Sequence, residues 1–561
     1  MDIVRRHVPE SAAALVASGI APVLARIFAA RGVRSSSELD LELGKLPSWR
    51  TLKGIDAAAA RLAAAIERHE RLLIVADYDA DGATACAVGV RGLRAMGARV
   101  DYLVPNRFEF GYGLTPEIVA LAAQREPAMI ITVDNGIASV DGVVAARARG
   151  IEVLITDHHL PGAELPATEL IVNPNQPGCT FPSKHLAGVG VMFYVLAAVR
   201  ALLRERGRFA ESGVPNLAAL LDLVALGTVA DVVRLDHVNR ILVGQGLQRI
   251  RAARSQPGLR ALFAAAGCDP ARATAYDLGF VIGPRLNAAG RLADMSIGIA
   301  CLLADDETSA APFAAELDRL NRERREVEAT MHEEALAGLD GMIAGDCYTL
   351  CVYRPDWHQG VVGIVASRLK ERFHRPTIVF ARAADGELRG SGRTIAGFHL
   401  RDALDLVAKR APGTIARFGG HAFAAGLSLA EAELPRFSAE FERVAREWLM
   451  PAALQQTLET DGELDPAELT LGFAQEVAGQ VWGQGFPVPV FDGEFTVLDQ
   501  HRVGHKHSRL VLVATGRHLE AIAFNEPGPL PLRIRAAYRP EVNHYQGLNS
   551  LQLIVERWEP S

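Results

Sequence analysis

Three short apolar runs in this chain each break into side chains that bind cations or carry protons. Leu72-Leu-Ile-Val-Ala76 leads into Asp77-Tyr-Asp79-Ala-Asp81-Gly82, Ile130-Ile-Thr-Val133 into Asp134-Asn-Gly136, and Val153-Leu-Ile-Thr156 into Asp157-His158-His159. In a parallel sheet the carboxyl ends of neighbouring strands share one edge, so these tips converge although 57 and 23 residues separate the leading aspartates. Two carboxylates ~4 Å apart repel by about 4 kcal/mol at an effective dielectric near 20. Four or five of them must either protonate or share cations. Carboxylate oxygens and imidazole nitrogens without a thiolate favour Mn²⁺ or Mg²⁺ over structural zinc. A pair of such ions suits phosphodiester hydrolysis: it acidifies a water, holds the phosphate and neutralises the leaving oxyanion.

Two competing readings bear on these motifs. Asp-x-Asp-x-Asp-Gly also opens a calcium-binding EF-hand loop, but the twelfth position is Val88 where a bidentate Glu is needed, and the preceding run reads as strand. Any one motif alone could be a loop of solvated aspartates; three at successive strand tips make that reading poor. Asp231 ends an apolar stretch, Leu226-Gly-Thr-Val-Ala-Asp231, and by itself reads as an ordinary helix-end aspartate.

The elements that must position these tips follow from apolar periodicity. Leu72–Ala76, Val100–Val104, Met129–Val133 and Val153–Thr156 read as buried strands separated by Ala-rich helices such as Val140–Arg149, a βαβ pattern with a largely parallel sheet. The stretch Asn216–Arg254 reads as helical, and Thr308–Leu339 as a long charged helix serving as a spacer. Cys347–Leu449 restarts a strand and helix alternation, giving a second α/β domain. Beyond Pro451, Arg509–Ala514, His518–Phe524, Leu532–Tyr538 and Leu551–Glu556 alternate in period two, as in a small β-barrel.

A chain of 561 residues exceeds one hydrophobic core. The expected division is an N-terminal helical segment 1–45, a catalytic domain 46–305, a connecting helix 306–345, a second α/β domain 346–450 and a barrel 451–561. The net charge of −7 argues against uniform positive coating of nucleic acid and leaves room for a local basic groove. The longest apolar run, Gly188–Val199, is too short for a bilayer, which needs ~20 residues. Ser11–Ala25 after Arg5 and Arg6 imitates a secretory signal, but Pro22 and Arg26 interrupt it. No CxxC occurs among the six cysteines, and Cys347 and Cys351 are expected as small buried residues on one side of a strand. A soluble cytoplasmic protein without membrane contact is expected.

With its Asp77-Tyr-Asp79-Ala-Asp81-Gly and Asp157-His158-His159 motifs, the sequence resembles the DHH phosphoesterase superfamily, and within it the RecJ family of single-strand-specific DNA exonucleases. The likeness covers nearly the whole chain. It extends through Gly283-Pro-Arg285-Leu-Asn287-Ala-Ala-Gly290-Arg291, Trp357-His358-Gln359-Gly, Gly390-Ser391-Gly392-Arg393 and Phe418-Gly419-Gly420-His421. The resemblance implies a DHH parallel-sheet catalytic domain, a long spacer helix, a DHHA1-like α/β domain and an OB-like C-terminal barrel. It implies digestion of single-stranded DNA from the 5′ end to mononucleotides in repair and recombination, by a monomeric enzyme working with single-strand-binding protein and a helicase.

By the same resemblance, Asp77, Asp79 and Asp134 bind one metal ion, while Asp81, Asp134, His158 and Asp231 bind a second, Asp134 bridging the two. His159 stabilises charge on the scissile phosphate. Arg107 with Ser391 and Arg393 forms a pocket for a terminal 5′ phosphate. Tyr112, Arg285, Asn287, Arg291, Gln359 and His421 complete the expected substrate contacts. In the barrel, His501, Arg502, His505, Lys506, His507 and Arg509 supply positive charge, and Trp482, Phe486 and Tyr545 are candidates for stacking bases; a solvated charged hairpin is the alternative. The chain departs from the pattern at Gly485-Phe486-Pro487, where Gly-Asn-Pro is usual, and at Thr394, where serine is common. The competing functions are a DHH hydrolase of very short RNA or cyclic dinucleotides and a non-catalytic scaffold.

Overall fold

The computed structural model describes residues 2–105, 113–210, 213–339, 347–526, 528–545 and 547–561. Arg107 and Tyr112, expected at the phosphate pocket and strand path, lie outside the described residues.

The chain forms two units, one of residues 5–319 and 459–561, the other of residues 1–4 and 320–458. In the first, the expected βαβ alternation produces a five-stranded parallel sheet. Its spatial order is Arg99–Leu103, Arg71–Ala76, Met129–Val133, Glu152–Thr156 and Ile171–Val172. The two-residue final strand is absent from the sequence reading, because two apolar positions carry no periodicity.

Period-two alternation sends Leu73, Val75, Ile130, Val153 and Ile155 to one face, where Ile118, Val119, Ala122, Val143 and Ala146 cover them. On the other face lie the helices Ala80–Ala95 and Gly188–Glu205. They approach closely because Gly89 and Gly92 face Met192 and Leu196: a Cβ on Gly92 would fall 2.4 Å from Leu196 Cδ1. The helical stretch expected over 216–254 divides into a 3₁₀ turn Leu217–Leu220 and helices Leu221–Ala230 and His237–Arg251.

At the far end of this unit, Phe491–Val503, His507–Ala514, Arg517–Ala523, Leu548–Pro560 and Arg533–Tyr545 close a barrel. Its first strand escapes the sequence reading, since Asp492 and Gly493 break the alternation there. Asp492 is instead buried, held by Arg5, Thr460 and Arg535. The decoy signal segment folds as helices Ser11–Ala17 and Pro22–Ala30. Beyond them, buried Arg31 pairs with buried Asp461 at 2.7 and 2.9 Å and donates to the Pro487 carbonyl at 2.6 Å.

The second unit has a mixed sheet, in the order Arg417–Gly420, Ala424–Leu429, Leu388–Arg393, Thr377–Arg382, Leu350–Tyr353, with only the last pair parallel. Helices Leu400–Arg410 and Leu434–Trp448 contribute Leu404, Phe437 and Phe441 to the core on one face, and Val362–Phe373 contributes Val365 and Leu369 to the core on the other.

The long charged helix expected as a spacer runs over Glu307–Leu339; Ala310, Ala314 and Leu317 are buried near its start, and Met331, Ala335 and Leu339 join the second unit's core at four-residue spacing. One expectation needs correction. The strand expected to carry both Cys347 and Cys351 begins only at Leu350, and both cysteines are half-buried instead of fully enclosed.

Helix Gly283–Leu292 props the Asp77–Asp81 loop by direct contact. Asn287 Oδ1 accepts from Ala80 N at 2.8 Å, and a Cβ on Gly290 would fall 1.9 Å from the Tyr78 carbonyl oxygen. Gly290→Ala is therefore expected to destabilise the chain by about 1–3 kcal/mol. Because it displaces the Asp77–Asp81 loop, it should also weaken Mn²⁺ binding, read by thermal melting and metal titration.

Candidate functional site

Each acidic residue of the cluster is set by the way its strand ends. After Ala76, Asp77 accepts from the Tyr78 amide at 2.7 Å, and Asp79 caps the next helix by accepting from Gly82 N at 3.0 Å. Asp81, buried in the first turn of that helix, points across to the helix Gly188–Glu205, whose first amides, Gly188 N and Val189 N, donate to its two oxygens at 2.6 and 2.9 Å. A helix N-terminus is a natural partner for an anion.

Asp134 adopts φ 61°, a left-handed conformation costly for a residue with a side chain. The turn is locked by Thr132 Oγ1 to the Asn135 carbonyl at 2.7 Å and by Asn135 Nδ2 to the Val133 carbonyl at 2.9 Å. Gly188 leaves room for the carboxylate: a Cβ there would lie 2.6 Å from Asp134 Cβ.

Asp157 reads in the sequence only as the first letter of its motif, and its task emerges from the structure. Its buried carboxylate accepts from the amides of Ile137, His158 and His159 at 2.9, 2.7 and 3.1 Å and meets His159 Nδ1 at 2.8 Å. Burial raises the Asp157 carboxyl, but its bonds to His159 outweigh this and hold it below the ordinary value. Burial likewise lowers the His159 imidazole, but its bond to Asp157 and the surrounding carboxylates raise it to about 9. Asn173 and Asn175, also missed, pin the carbonyls of His159 and His158 at 3.0 and 2.6 Å. The Asn-Pro-Asn after the fifth strand is the signal that could have revealed them.

The tips converge on His158. Its Nε2 lies 3.1 Å from Asp134 Oδ1, 3.4 Å from Asp231 Oδ2 and 3.9 Å from Asp81 Oδ2. Asp231 arrives from the end of helix Leu221–Ala230. Three groups bring one donor atom per residue within 4.8 Å of one another: Asp77 with Asp79 and Asp134, Asp81 with His158 and Asp231, and Asp134 with His158 and His159.

Burial and mutual repulsion push the Asp81 carboxyl up to about 7 and those of Asp134 and Asp231 well above the ordinary range. Asp231 Oδ2 is buried with no hydrogen-bond partner among the described residues. An enclosed oxygen and carboxylates unable to ionise together are what a divalent cation would relieve. The all-oxygen and imidazole donor set fits Mn²⁺ or Mg²⁺.

The later motifs fall in different places. Ser391 and Arg393 are on strand Leu388–Arg393, where Arg393 donates to the Gly392 carbonyl at 2.8 Å and Ser391 Oγ at 3.2 Å. Burial lowers the Arg393 guanidinium, which has no carboxylate partner among the described residues. Gly363, near the start of helix Val362–Phe373, approaches both: its Cβ would lie 2.9 Å from Ser391 Oγ and 3.2 Å from Arg393 Nη2. A half-buried guanidinium, a hydroxyl and a helix start form an anion-binding combination.

Gln359 is half-buried in the loop before that helix, and His421 is exposed in the turn between strands Arg417–Gly420 and Ala424–Leu429. Arg285 pairs with Asp318 at 2.9 Å and donates to the Val281 carbonyl at 2.6 Å, while Asn287 braces Ala80 as described. Arg291 is half-buried in the last turn of the same helix.

In the C-terminal part, Trp482 and Phe486 are only 7% and 3% exposed and pack on Phe28, with Arg240 over the Phe486 ring. They are core, not stacking surface. Tyr545 and the basic residues His501, Arg502, His505, Lys506 and Arg509 are exposed, and His507 is half-buried.

Residues 71–228 match the DHH family, N-terminal domain, residues 346–447 the DHHA1 domain and residues 460–557 the RecJ OB domain. The single-stranded-DNA-specific exonuclease RecJ of Dickeya dadantii (strain 3937) is 52% identical over 557 residues, covering 96% of each chain. That of Escherichia coli (strain K12) is 49% identical over 575 residues, covering 99% of this chain and 98% of its own. The crystal structure of RecJ in complex with Mn²⁺ from Thermus thermophilus superposes with a TM-score of 0.85 at 30% identity, covering 100% of this chain and 80% of that one. A complex with Mg²⁺ from the same organism gives 0.79 at 29% identity, covering 100% and 79%. With sequence identity of this extent across all three domains, the chain belongs to the RecJ family of single-stranded-DNA-specific exonucleases.

Proposed function

We propose that this chain is a metal-dependent exonuclease that degrades single-stranded DNA from its 5′ end to mononucleotides in DNA repair and recombination. The observation that carries the reading is the convergence of Asp81, Asp134 and Asp231 around the His158 imidazole on the carboxyl edge of the sheet, in a chain about half identical to such exonucleases over nearly its full length. Asp77, Asp79 and Asp134 would hold one divalent ion, and Asp81, Asp134, His158 and Asp231 a second. Such ions, when bound, supply an acidified water and charge neutralisation on the phosphate.

The chain's own residues do the positioning. Asp157 engages His159 Nδ1, which leaves Nε2 to donate toward a phosphate oxygen. Ser391 and Arg393, beside the start of helix Val362–Phe373, receive the terminal 5′ phosphate. Such a contact sets polarity by recognising one end of the strand. The barrel's exposed His501, Arg502, Lys506 and Arg509 with Tyr545 serve the strand further along. Single-strand-binding protein and a helicase fit as partners, and the cytoplasm as the compartment; no helix among the described residues is long and apolar enough to cross a membrane.

Three measurements test this reading. Asp134→Ala should abolish cleavage of an end-labelled single strand in Mn²⁺ and leave strand binding measurable; retained turnover would remove the bridging role. Strands carrying a 5′ phosphate and a 5′ hydroxyl should be degraded at different rates, and the difference should shrink at least tenfold in Arg393→Ala, since a charge-assisted hydrogen bond contributes about 1.5–3 kcal/mol. Finally, Mn²⁺ at a hundredfold excess over its Kd should stabilise the chelated protein by about 2.7 kcal/mol, seen as a rise in melting temperature that Asp134→Ala loses.

A further inference from the structure

Close to the metal-ligating cluster stand two large aromatic rings that the fold leaves in water. Tyr276 and Phe280 are 65% and 67% exposed, and their rings stack on each other at 4.8 Å with 23° between the planes. Phe280 rides on a π-helical turn, Asp277–Ile282, which Tyr276 immediately precedes and which leads into the helix bearing Asn287 and Arg291. Turns of this type are rare and frequently mark functional positions.

The inner face of this segment lies against the residues that present Asp231. A Cβ on Gly279 would be 3.1 Å from Val229 Cγ1, and one on Gly283 would be 3.0 Å from Ala230 Cβ, the two residues that precede Asp231. Val232, just after it, is 62% exposed with φ 63°. The exposed rings and the inward glycines therefore belong to one short segment, whose back packs on the two residues before Asp231 and whose front carries a stacked aromatic pair in water.

We propose that Tyr276 and Phe280 form a stacking platform for a nucleobase of the strand being cut, and so act as positioning residues for the phosphate at the Asp/His cluster. This rests on the exonuclease reading above. A nucleobase is the occupant favoured by the continuity of the platform with the cluster, because a strand whose phosphate lies there must carry its bases across the neighbouring surface. The outer face of a stacked ring pair accepts any base, as an enzyme consuming a strand of arbitrary sequence requires.

The test measures binding separately from cleavage. In the Asp134→Ala chain, affinities are measured for a 5′-phosphorylated single strand and for the same strand with abasic residues near its 5′ end. Tyr276→Ala and Phe280→Ala should each weaken the normal strand about tenfold and change the abasic strand little, while Phe280→Tyr restores binding and Phe280→Leu, which keeps apolar bulk, does not. Equal loss for both strands, or no loss for either, overturns the platform and leaves these rings to a protein partner. In the otherwise unaltered chain the Ala variants should raise KM for the normal strand more than they lower kcat. If that chain binds strands through the rings yet hydrolyses none in Mn²⁺, the exonuclease reading fails while the platform stands.

Discussion

Repulsion among buried carboxylates on one edge of a parallel sheet is the constraint around which the rest of this molecule is arranged. Asp81, Asp134 and Asp231 meet around the imidazole of His158 in a space where burial and mutual repulsion raise their pKa values above the ordinary carboxyl range. Proteins tolerate such a gathering when cations compensate it or when function retains it. Supporting contacts throughout the first unit oppose its dispersal: the amides of Gly188 and Val189 on Asp81, the left-handed turn at Asp134 and the brace of Asn287 on Ala80.

The same constraint explains why small residues are concentrated here. Gly82, Gly188 and Gly290 each occupy a position where a Cβ would overlap the catalytic loops, so the close approach of helices to strand tips requires their lack of a side chain. Asp157 shows a second economy. It ligates no cation in the grouping described, yet it collects three amides and one imidazole, which fixes the orientation of the histidine pair.

The second unit treats charge differently. Arg393 is half-buried near a helix start and a hydroxyl without a carboxylate to neutralise it among the described residues, an arrangement suited to an incoming anion. Arg285, by contrast, is paired with Asp318 and tied to the Val281 carbonyl. Both arginines lie in glycine-bearing motifs, and only the identity of their neighbours separates the two outcomes.

Sequence alone determined the parallel sheet and the chemistry at its edge, because apolar runs ending in Asp77, Asp134 and Asp157 are local patterns and strand ends converge by a general rule of βαβ topology. The long helix and most of the barrel were legible for the same reason, their periodicity being local. Only the tertiary structure decided the tasks of Asp157, Asn173 and Asn175, the enclosure of Trp482 and Phe486 and the exposure of Tyr276 and Phe280. Each of these depends on which distant backbone lies alongside: an aromatic or amide side chain reads alike in sequence whether it packs against Phe28, holds a carbonyl or faces water. Burial and hydrogen-bond pairing belong to the assembled fold, and no spacing of residues along the chain encodes them.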